Sequence, residues 1–214
     1  LFTLATTGGA YEAKTVIIAT GAKPRPLPIA GTEELVGRGI SYCATCDGNF
    51  FRDKDVCVVG GGNTAVADAI YLSRICHKVS IIVRRDVLRA TAIYNIKLRE
   101  FDNVEIIWNT TVEEVIGSDF VVTGIKVKNA ITGEEHTIDC AALFVAIGTV
   151  PNVEFLGDAV ERDATGHIVT NSVGETSVPG VYAAGDIRSK KLRQITTAVA
   201  DGANAAEDAA EYLI

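Results

Sequence analysis

The chain has 214 residues, of which 48% are hydrophobic and 22% are charged, and its formal net charge at pH 7 is -7. This composition is typical of a globular protein with a sizeable core, and the acidic balance argues against a surface that binds nucleic acid. No apolar run is long enough to span a bilayer, and the N-terminus lacks the pattern of a signal peptide. We therefore expect a cytoplasmic location, with neither nucleic acid nor a membrane as a partner.

The sequence contains five cysteines and no methionine. Only Cys43 and Cys46 are closely spaced, which fits one catalytic pair in a reducing compartment better than a disulfide framework. The other three cysteines are expected to be inert core residues: Cys57, Cys76 and Cys140. Because the chain opens on residues that resemble the middle of a strand, the sequence is interpreted as a fragment.

The first predicted elements are a hairpin over residues 1–18 and then a linker. The linker is predicted because Pro24, Pro26 and Pro28 stand too close together for a regular element. From Asp55 the pattern becomes that of a βαβ unit. Its strand, helix and second strand are predicted over residues 56–59, 64–75 and 78–83.

The rest of the chain is predicted to continue with alternating helices and strands. A helix is expected over residues 89–101, followed by strands over 104–108, 111–116, 121–128, 136–139 and 142–147. After a second crossing between domains at Pro151, short strands are expected over 166–169 and 180–184. An Ala-rich helix is expected over 198–213.

The turn Gly60-Gly61-Gly62-Asn63-Thr64-Ala65 fits the pattern G-x-G-x-x-A directly after a buried strand and before a helix. In this context Gly60 permits the tight turn and Gly62 lets the backbone approach a pyrophosphate. Ala65 allows the helix and strand to pack closely, and the helix N-terminus favours the negative charge. The sequence therefore predicts a dinucleotide site, and the alternative is a glycine turn without a ligand.

The second strand of the βαβ unit ends in Arg84 and Arg85, where an NAD-binding fold normally has Asp or Glu. A carboxylate would repel a 2′-phosphate, whereas guanidinium groups bind it with charge-assisted hydrogen bonds. Arg89 lies close enough along the chain to reach the same phosphate. The pattern favours NADPH over NADH, and the alternative is a solvated basic surface.

The segment Cys43-Ala44-Thr45-Cys46 is a C-x-x-C motif whose spacing closes a small disulfide loop. Half of a zinc site is the competing interpretation, but the sequence offers no second ligand pair with the usual spacing. Asp47 follows the motif and could hold the proton that moves when the disulfide opens, although an Asp before Gly is often a turn former.

A further carboxylate, Asp186, follows a short apolar strand after Gly185. An Asp at this position can accept a hydrogen bond from a sugar hydroxyl. The alternative is an ordinary turn.

Together these motifs resemble those of the bacterial low-molecular-weight thioredoxin reductases, which are homodimeric FAD-containing enzymes. The resemblance extends over essentially the whole chain and follows the order of motifs in the family. The matching segments are Ala19-Thr20-Gly21-Ala22, Cys43-Ala44-Thr45-Cys46-Asp47-Gly48, Gly60-Gly61-Gly62-Asn63-Thr64-Ala65-Val66, Arg84-Arg85-Asp86 with Arg89, Phe144-Val145-Ala146-Ile147-Gly148, and Ala183-Ala184-Gly185-Asp186 with Arg193-Gln194.

The resemblance implies an α/β fold of the two-dinucleotide-binding-domain flavoprotein type. A Rossmann-like NADPH-binding domain is inserted in an FAD-binding domain that is incomplete here. The implied domains are residues 1–27 and 150–214 for the FAD-binding part, and residues 28–149 for the NADPH-binding domain with the C-x-x-C motif.

The resemblance also implies the reaction: NADPH reduces FAD, the flavin reduces the Cys43–Cys46 disulfide, and the dithiol reduces thioredoxin. Cys46 would be the sulfur on the flavin side and Asp47 the proton donor, while the cysteine that attacks thioredoxin first stays open. The implied NADPH site comprises Gly60, Gly62, Asn63, Thr64, Arg84, Arg85, Arg89 and Ile147. The implied FAD site comprises Thr20, Gly21, Asp186, Arg193, Gln194 and Ile195.

The chain departs from the family in two places. The family's glycine-rich turn for the FAD pyrophosphate has no counterpart in the sequence, so we expect this chain alone to hold FAD weakly. Val83 stands where the family usually has His, which removes one phosphate contact.

Three alternatives to the thioredoxin reductase function are open. One is a hydroperoxide-reductase flavoprotein, which prefers NADH. Another is a ferredoxin-dependent thioredoxin reductase, which lacks the NADPH motifs. The third is an isolated NADPH-binding module without turnover.

Overall fold

The computed structural model describes residues 1–118 and 121–214. The chain divides into two compact units: a central unit, Arg25–Gly148, and a flanking unit formed by Leu1–Pro24 and Thr149–Ile214. The strands are β1 (Phe2–Thr6), β2 (Gly9–Ala13), β3 (Val16–Ile18), β4 (Ala22–Pro24), β5 (Ile40–Ser41), β6 (Asp55–Val59), β7 (Lys78–Ile82), β8 (Val104–Ile107), β9 (Thr110–Ser118), β10 (Val121–Asn129), β11 (Glu135–Asp139), β12 (Ala142–Val145), β13 (Thr149–Pro151) and β14 (Val181–Ala183). The α-helices are α1 (Ala44–Asp47), α2 (Asn63–Leu72), α3 (Ala92–Leu98) and α4 (Ile195–Glu211).

The central unit is built on a five-stranded parallel sheet with the strand order β5-β12-β6-β7-β8. Its inner strands are almost continuously apolar, as expected for parallel strands that are covered on both faces. On one face, Val56 and Val58 of β6 pack in a core with Ala65 and Leu72 of α2. On the other face, Cys57 packs in a second core with residues of the antiparallel sheet β11-β10-β9. The unit therefore has three layers.

The predicted βαβ unit is confirmed, since β6, α2 and β7 form it with parallel strands. The helix N-terminus and the carboxyl ends of β6 and β7 lie at the edge of the sheet where nucleotides bind in such folds.

The flanking unit contains the β1–β2 hairpin, the parallel pair β3–β14, the antiparallel pair β4–β13 and α4. Its core includes Ile18, Ile168 and Ile187. On another side of β14, Tyr182 packs with Ala205 and Ala209 of α4, whose small side chains permit close approach. Burial raises the pKa of Tyr182 to about 12, and its hydroxyl donates a hydrogen bond to the Asp208 carbonyl at 3.3 Å.

Three predictions in the flanking unit are wrong. The hairpin predicted over residues 1–18 ends at Ala13, because Val16–Ile18 forms a separate strand, β3, that pairs in parallel with β14. The segment Ala22–Pro24, predicted as part of a linker, forms strand β4 against β13, because an edge strand tolerates the missing N–H of Pro24. Residues 166–169, predicted as a strand, make only isolated bridges through Ile168. They are held instead by a turn in which Asp163 accepts hydrogen bonds from the backbone N–H groups of Thr165 and His167.

The boundaries of all three predicted helices also differ from the prediction: α2 ends at Leu72 rather than at residue 75, and α3 ends at Leu98 rather than at residue 101. Helix α3 begins at Ala92 rather than at residue 89, because the Arg89 N–H is bonded to Gly61 O at 2.7 Å. Helix α4 begins at Ile195 rather than at residue 198, because Gln194 and Thr197 form a capping box. No helix in the described part of the chain is both long and apolar enough to cross a membrane.

Candidate disulfide and nucleotide sites

The two cysteines of the C-x-x-C motif form a disulfide, with their Cα atoms 5.3 Å apart. Strand β5 leads directly into the motif, and Cys43 is the residue that precedes α1. Cys46 is exposed, whereas Cys43 is half-buried. The pair is therefore placed at the surface of the central unit, where a second redox group or a protein thiol can reach it.

Ser41 connects Asp47 to the disulfide. Its hydroxyl donates to Asp47 Oδ2 at 2.6 Å and accepts the backbone N–H of Cys43 at 3.1 Å. Ser41 is buried, so these bonds are shielded from water. This residue is not predicted from the sequence, because a serine two positions before a cysteine is not itself a signal. Its only clue is its place next to the motif.

The other three cysteines are buried, as expected: Cys57, Cys76 and Cys140. A hydrogen bond with Cys140 and burial raise the pKa of the Cys57 thiol, and burial raises the pKa of Cys76 to about 11. Since the thiolate is the reactive form, the Cys57 and Cys76 thiols are far less reactive than an exposed cysteine.

The glycine turn has different requirements at its first and third positions. Gly60 has φ +144°, and a Cβ there would lie 2.4 Å from the carbonyl oxygen of Ala146 and 3.0 Å from Cβ of Ala65. A Cβ on Gly62 would meet nothing within 4 Å. Gly60 is thus required by the fold, while the open side of Gly62 leaves the space that a pyrophosphate would occupy.

Arg84, Arg85 and Arg89 are all exposed. Among the described residues, no carboxylate forms an ion pair with any of these side chains. Three guanidinium groups on one short loop therefore remain available for a phosphate, and the residues of the turn and loop fit a 2′-phosphorylated dinucleotide.

The remaining members of the predicted nucleotide set lie around the same turn. Asn63 and Thr64 are the first residues of α2. Ile147 follows β12 and is half-buried against the core next to the antiparallel sheet. The carboxyl ends of β6, β7 and β12 meet at one edge of the sheet, so the sequence-predicted nucleotide residues are brought together there.

The disulfide and the glycine turn lie near opposite ends of α2: the turn precedes its N-terminus, and the disulfide segment packs near its C-terminus. A Cβ on Gly48, just after α1, would lie 3.0 Å from a side-chain carbon of Leu72. Leu72 ends α2, and the nine steps back to Asn63 correspond to about 13 Å at 1.5 Å per residue.

In the flanking unit, the residues predicted to bind FAD follow the parallel pair β3–β14. Thr20 and Asn152 exchange two hydrogen bonds of 2.8 Å, and Gly21 has φ +71°. Asp186 lies in the 3₁₀ turn after β14, and its buried Oδ1 atom has an ion-pair contact of 3.8 Å with Lys190 Nζ but no hydrogen-bond partner. A buried acceptor of this kind suits a ligand hydroxyl.

Arg193 is brought next to Asp186, because its Nε donates to the Asp186 carbonyl at 3.3 Å. Gln194 caps α4, and Ile195, its first residue, is 84% exposed.

The turn that holds Asp186 is anchored by charged residues that no sequence motif indicates. The Asp201 carboxylate accepts hydrogen bonds from the backbone N–H of Gly185 at 3.0 Å and from Lys190 Nζ at 2.7 Å, and it also pairs with Arg188. Arg188 is buried and donates further bonds to Thr170 and to the Asn171 carbonyl. These contacts join segments that are distant in sequence, so no local sequence pattern predicts them.

Comparison with known proteins places the chain in a family. The sequence model of the pyridine nucleotide-disulphide oxidoreductase family matches residues 2–202 of the chain. A thioredoxin reductase of Listeria monocytogenes is 45% identical over 203 residues, which cover 95% of this chain and 64% of that relative. A component of the alkyl hydroperoxide reductase of Staphylococcus aureus is 44% identical over 207 residues, which cover 97% of this chain but 41% of that relative.

A solved structure agrees with the sequence comparison. The thioredoxin reductase of Streptococcus pyogenes matches with a TM-score of 0.84 and 46% identity, over 97% of this chain and 68% of that one. The predicted fold class is thereby confirmed, and the chain spans about two thirds of the length of the thioredoxin reductases it matches. The chain belongs to the pyridine nucleotide-disulphide oxidoreductase family, within which it is similar to thioredoxin reductases over nearly its whole length.

Proposed function

We propose that this chain provides the nucleotide site and the redox-active disulfide of an NADPH-dependent thioredoxin-disulfide reductase. The observation that supports this most strongly is the Cys43–Cys46 disulfide beside Asp47, on the same compact unit as the G-x-G-x-x-A turn. A nucleotide that delivers electrons and a disulfide that accepts them are the two ends of such a reaction.

The nucleotide is NADPH. The open backbone at Gly62 and the first residues of α2, Asn63 and Thr64, receive the pyrophosphate, and Gly60 forms the turn beneath it. The unpaired arginines Arg84, Arg85 and Arg89 bind the 2′-phosphate. Ile147 lines the carboxyl edge of the sheet.

The flavin is FAD, held in the flanking unit. Oδ1 of Asp186, which accepts no hydrogen bond from the chain, accepts one from a ribityl or ribose hydroxyl, and the other residues of the site are Thr20, Gly21, Arg193, Gln194 and Ile195. When both are bound, NADPH supplies a hydride and FAD passes its two electrons to the disulfide.

The disulfide needs two electrons and two protons to become two thiols. We assign the delivery of one of those protons to Asp47, which directly follows Cys46 in the chain and whose carboxylate accepts a hydrogen bond from Ser41. In the following exchange, a thiolate of this pair attacks the thioredoxin disulfide and forms a mixed disulfide. The second thiolate then displaces the reduced thioredoxin and restores the Cys43–Cys46 bond.

A protein substrate is further supported by Phe50. This side chain lies four residues after Cys46 and is 76% exposed. An exposed aromatic beside a reactive disulfide provides apolar contact area for a protein partner.

Two further properties complete the proposal. We place the protein in the cytoplasm, because three of its five cysteines are free thiols and only the catalytic pair is bridged. We also propose the homodimeric state of the family, which light scattering of the purified protein tests.

The second candidate function is that of a hydroperoxide-reductase flavoprotein, favoured by the 44% identity to the Staphylococcus aureus protein. The arginines at the end of β7 argue against this function, because a hydroperoxide-reductase flavoprotein prefers NADH. A nucleotide-binding module without turnover is the third candidate.

One experiment separates these functions. The chain is mixed with FAD in excess and oxidised thioredoxin, and consumption of NADPH or NADH is compared with the thiols that appear. We expect NADPH to be consumed one-to-one with reduced thioredoxin, and Cys43→Ser and Cys46→Ser each to abolish the reaction. Equal rates with NADH, or reduction of a peroxidase disulfide in place of thioredoxin, would favour the second function, and nucleotide binding without either reaction the third.

A further inference from the structure

Asn63, the first residue of α2, uses its carboxamide oxygen to bind a distant backbone group. Its Oδ1 accepts the N–H of Thr91 at 2.8 Å, across 28 positions of the chain. Thr91 is the residue immediately before α3 and is extended, with φ -62° and ψ 154°. An N–H at this position has no partner within its own helix, so the Asn63 side chain supplies one.

The segment that ends at Thr91 is the one that presents the arginines, and we call residues 84–91 the arginine loop. A second hydrogen bond ties this loop to the glycine turn, from the Arg89 N–H to Gly61 O at 2.7 Å. Leu88 also lies against the turn, since a Cβ on Gly61 would be 3.7 Å from its Cδ2. At its end the loop is held by Asn95, whose Nδ2 donates to the Ala90 carbonyl at 3.1 Å.

A 2′-phosphorylated dinucleotide must place two phosphate groups at once, one on the glycine turn and one on the arginine loop. The distance between these two protein segments is therefore a property on which binding depends. Charge-assisted bonds lose strength quickly when their geometry is disturbed. The contacts that join the loop to the turn set that distance.

We propose that Asn63 is a positioning residue that holds the arginine loop at the distance where it can bind the 2′-phosphate, and that it thereby sets the preference for 2′-phosphorylated nucleotides. The inference rests on the proposed NADPH function. It assigns to Oδ1 a role separate from ligand contact. The Nδ2 group, which has no hydrogen bond among the described residues, stays free to donate to a phosphate.

Two ligands distinguish positioning from direct contact. ADP has a 5′-diphosphate and no 2′-phosphate, whereas adenosine 2′,5′-bisphosphate has a 2′-phosphate and a single 5′-phosphate. Loss of a direct contact at the turn weakens ADP as well. Loss of positioning weakens the bisphosphate and leaves ADP nearly unchanged. The readout is the ratio of the two dissociation constants, measured by titration calorimetry on the full chain.

Three variants test the hydrogen bond from both sides. Asn63→Ala removes the acceptor and also Nδ2, so an equal weakening of both ligands in this variant measures the lost phosphate contact and only a change in the ratio measures positioning. Thr91→Pro removes the donor and leaves Asn63 intact, and the φ of -62° at this position suits proline. Thr91→Ala is the matched control, because it keeps the N–H and removes a side chain that makes no capping bond.

We expect Asn63→Ala and Thr91→Pro each to reduce the preference for the bisphosphate by about tenfold, the equivalent of one bond to a charged group. The double variant should lose no more than either single one, and Thr91→Ala should keep the preference. Thermal melts show whether each variant is folded, and Asn63→Ala decides the question if Thr91→Pro is not.

The proposal is overturned if Asn63→Ala weakens both ligands equally, or if a folded Thr91→Pro keeps the wild-type ratio. A different result separates it from the function on which it rests. If the wild-type chain itself shows no preference for the 2′-phosphate, the NADPH assignment fails, and this proposal fails with it.

Discussion

The Ser41 hydroxyl donates a hydrogen bond of 2.6 Å to the Asp47 carboxylate, within the segment that contains the disulfide. We expect Ser41→Ala to slow reduction of the Cys43–Cys46 disulfide by about tenfold, because the Ser41 hydroxyl fixes the Asp47 carboxylate and the backbone N–H of Cys43 relative to each other. The rate of thiol formation with a small dithiol reductant measures this. Thr3→Ala, which removes an exposed hydroxyl on β1, outside the unit that holds the disulfide, is the control. An unchanged rate in Ser41→Ala would show that the reaction does not depend on the Ser41–Asp47 hydrogen bond.

The two outer glycines of the nucleotide turn should respond differently to the same change. Gly60→Ala should lower the free energy of unfolding by about 3 kcal/mol or more, since its Cβ would collide with the Ala146 carbonyl at an unfavourable φ. Gly62→Ala should change stability by less than about 1 kcal/mol, yet weaken nucleotide binding at least about tenfold. Denaturant unfolding and calorimetry measure the two effects. A stable Gly60→Ala chain, or a Gly62→Ala chain with full affinity, would show that the turn works differently.

The arginines at the end of β7 should determine which nucleotide binds. We expect NADPH to bind more tightly than NADH, and Arg85→Ala to remove about 1.5 to 3 kcal/mol of that difference, the contribution of a charge-assisted bond. Titration with both nucleotides gives the two affinities. Arg99→Ala, an exposed arginine at the end of α3, serves as the control. An Arg85→Ala variant with the preference intact would refute the assignment.

Asp68 on α2 should make the stability of the chain depend on pH. Burial raises the pKa of its carboxyl from 3.8 to about 7, so the folded state favours the protonated form. The stabilising contribution is present below the unfolded pKa and is lost as the pH rises through about 7. Asp68→Asn should therefore stabilise the chain by about 2 to 4 kcal/mol near pH 8 and by little near pH 4.

Unfolding in denaturant at the two pH values measures this effect. Glu34→Gln, a change at an exposed carboxyl, provides the comparison and should show little difference between them. If Asp68→Asn gave the same gain at both pH values, its effect would come from packing and not from ionisation.

The sheet and the glycine turn can be predicted because their signals are local. The buried strand β6 is a continuous apolar run, and the turn after it has the spacing of a known motif. Strand β4 cannot be predicted in this way, because its pairing depends on residues 149–151, more than a hundred positions away. The segment 166–169 has the apolar residues of a strand, but the Asp163 carboxylate gives its backbone a different set of partners.

The candidate sites follow the same rule. The spacing of the motif predicts Cys43, Cys46 and Asp47 from the sequence. Ser41 is identified only in the folded chain, by its hydrogen bonds to Asp47 and to the N–H of Cys43. Asp201 lies within an Ala-rich helix, and only the folded chain shows that it holds the turn of Asp186. Local motifs thus identify the groups that meet ligands, and tertiary contacts identify the groups that position them.

The transfer of electrons from the reduced Cys43–Cys46 dithiol to oxidised thioredoxin can be measured without NADPH or FAD. The chain is reduced, freed of reductant and mixed with oxidised thioredoxin, and the thiols at each cysteine are then counted by alkylation and mass spectrometry. We expect Cys43 and Cys46 to return to the disulfide as thioredoxin gains two thiols. The buried Cys57, Cys76 and Cys140 should not be alkylated in the folded chain, and they serve as internal references. Thioredoxin that stays oxidised, or that is reduced equally well by a Cys43→Ser, Cys46→Ser double variant, would contradict the assignment.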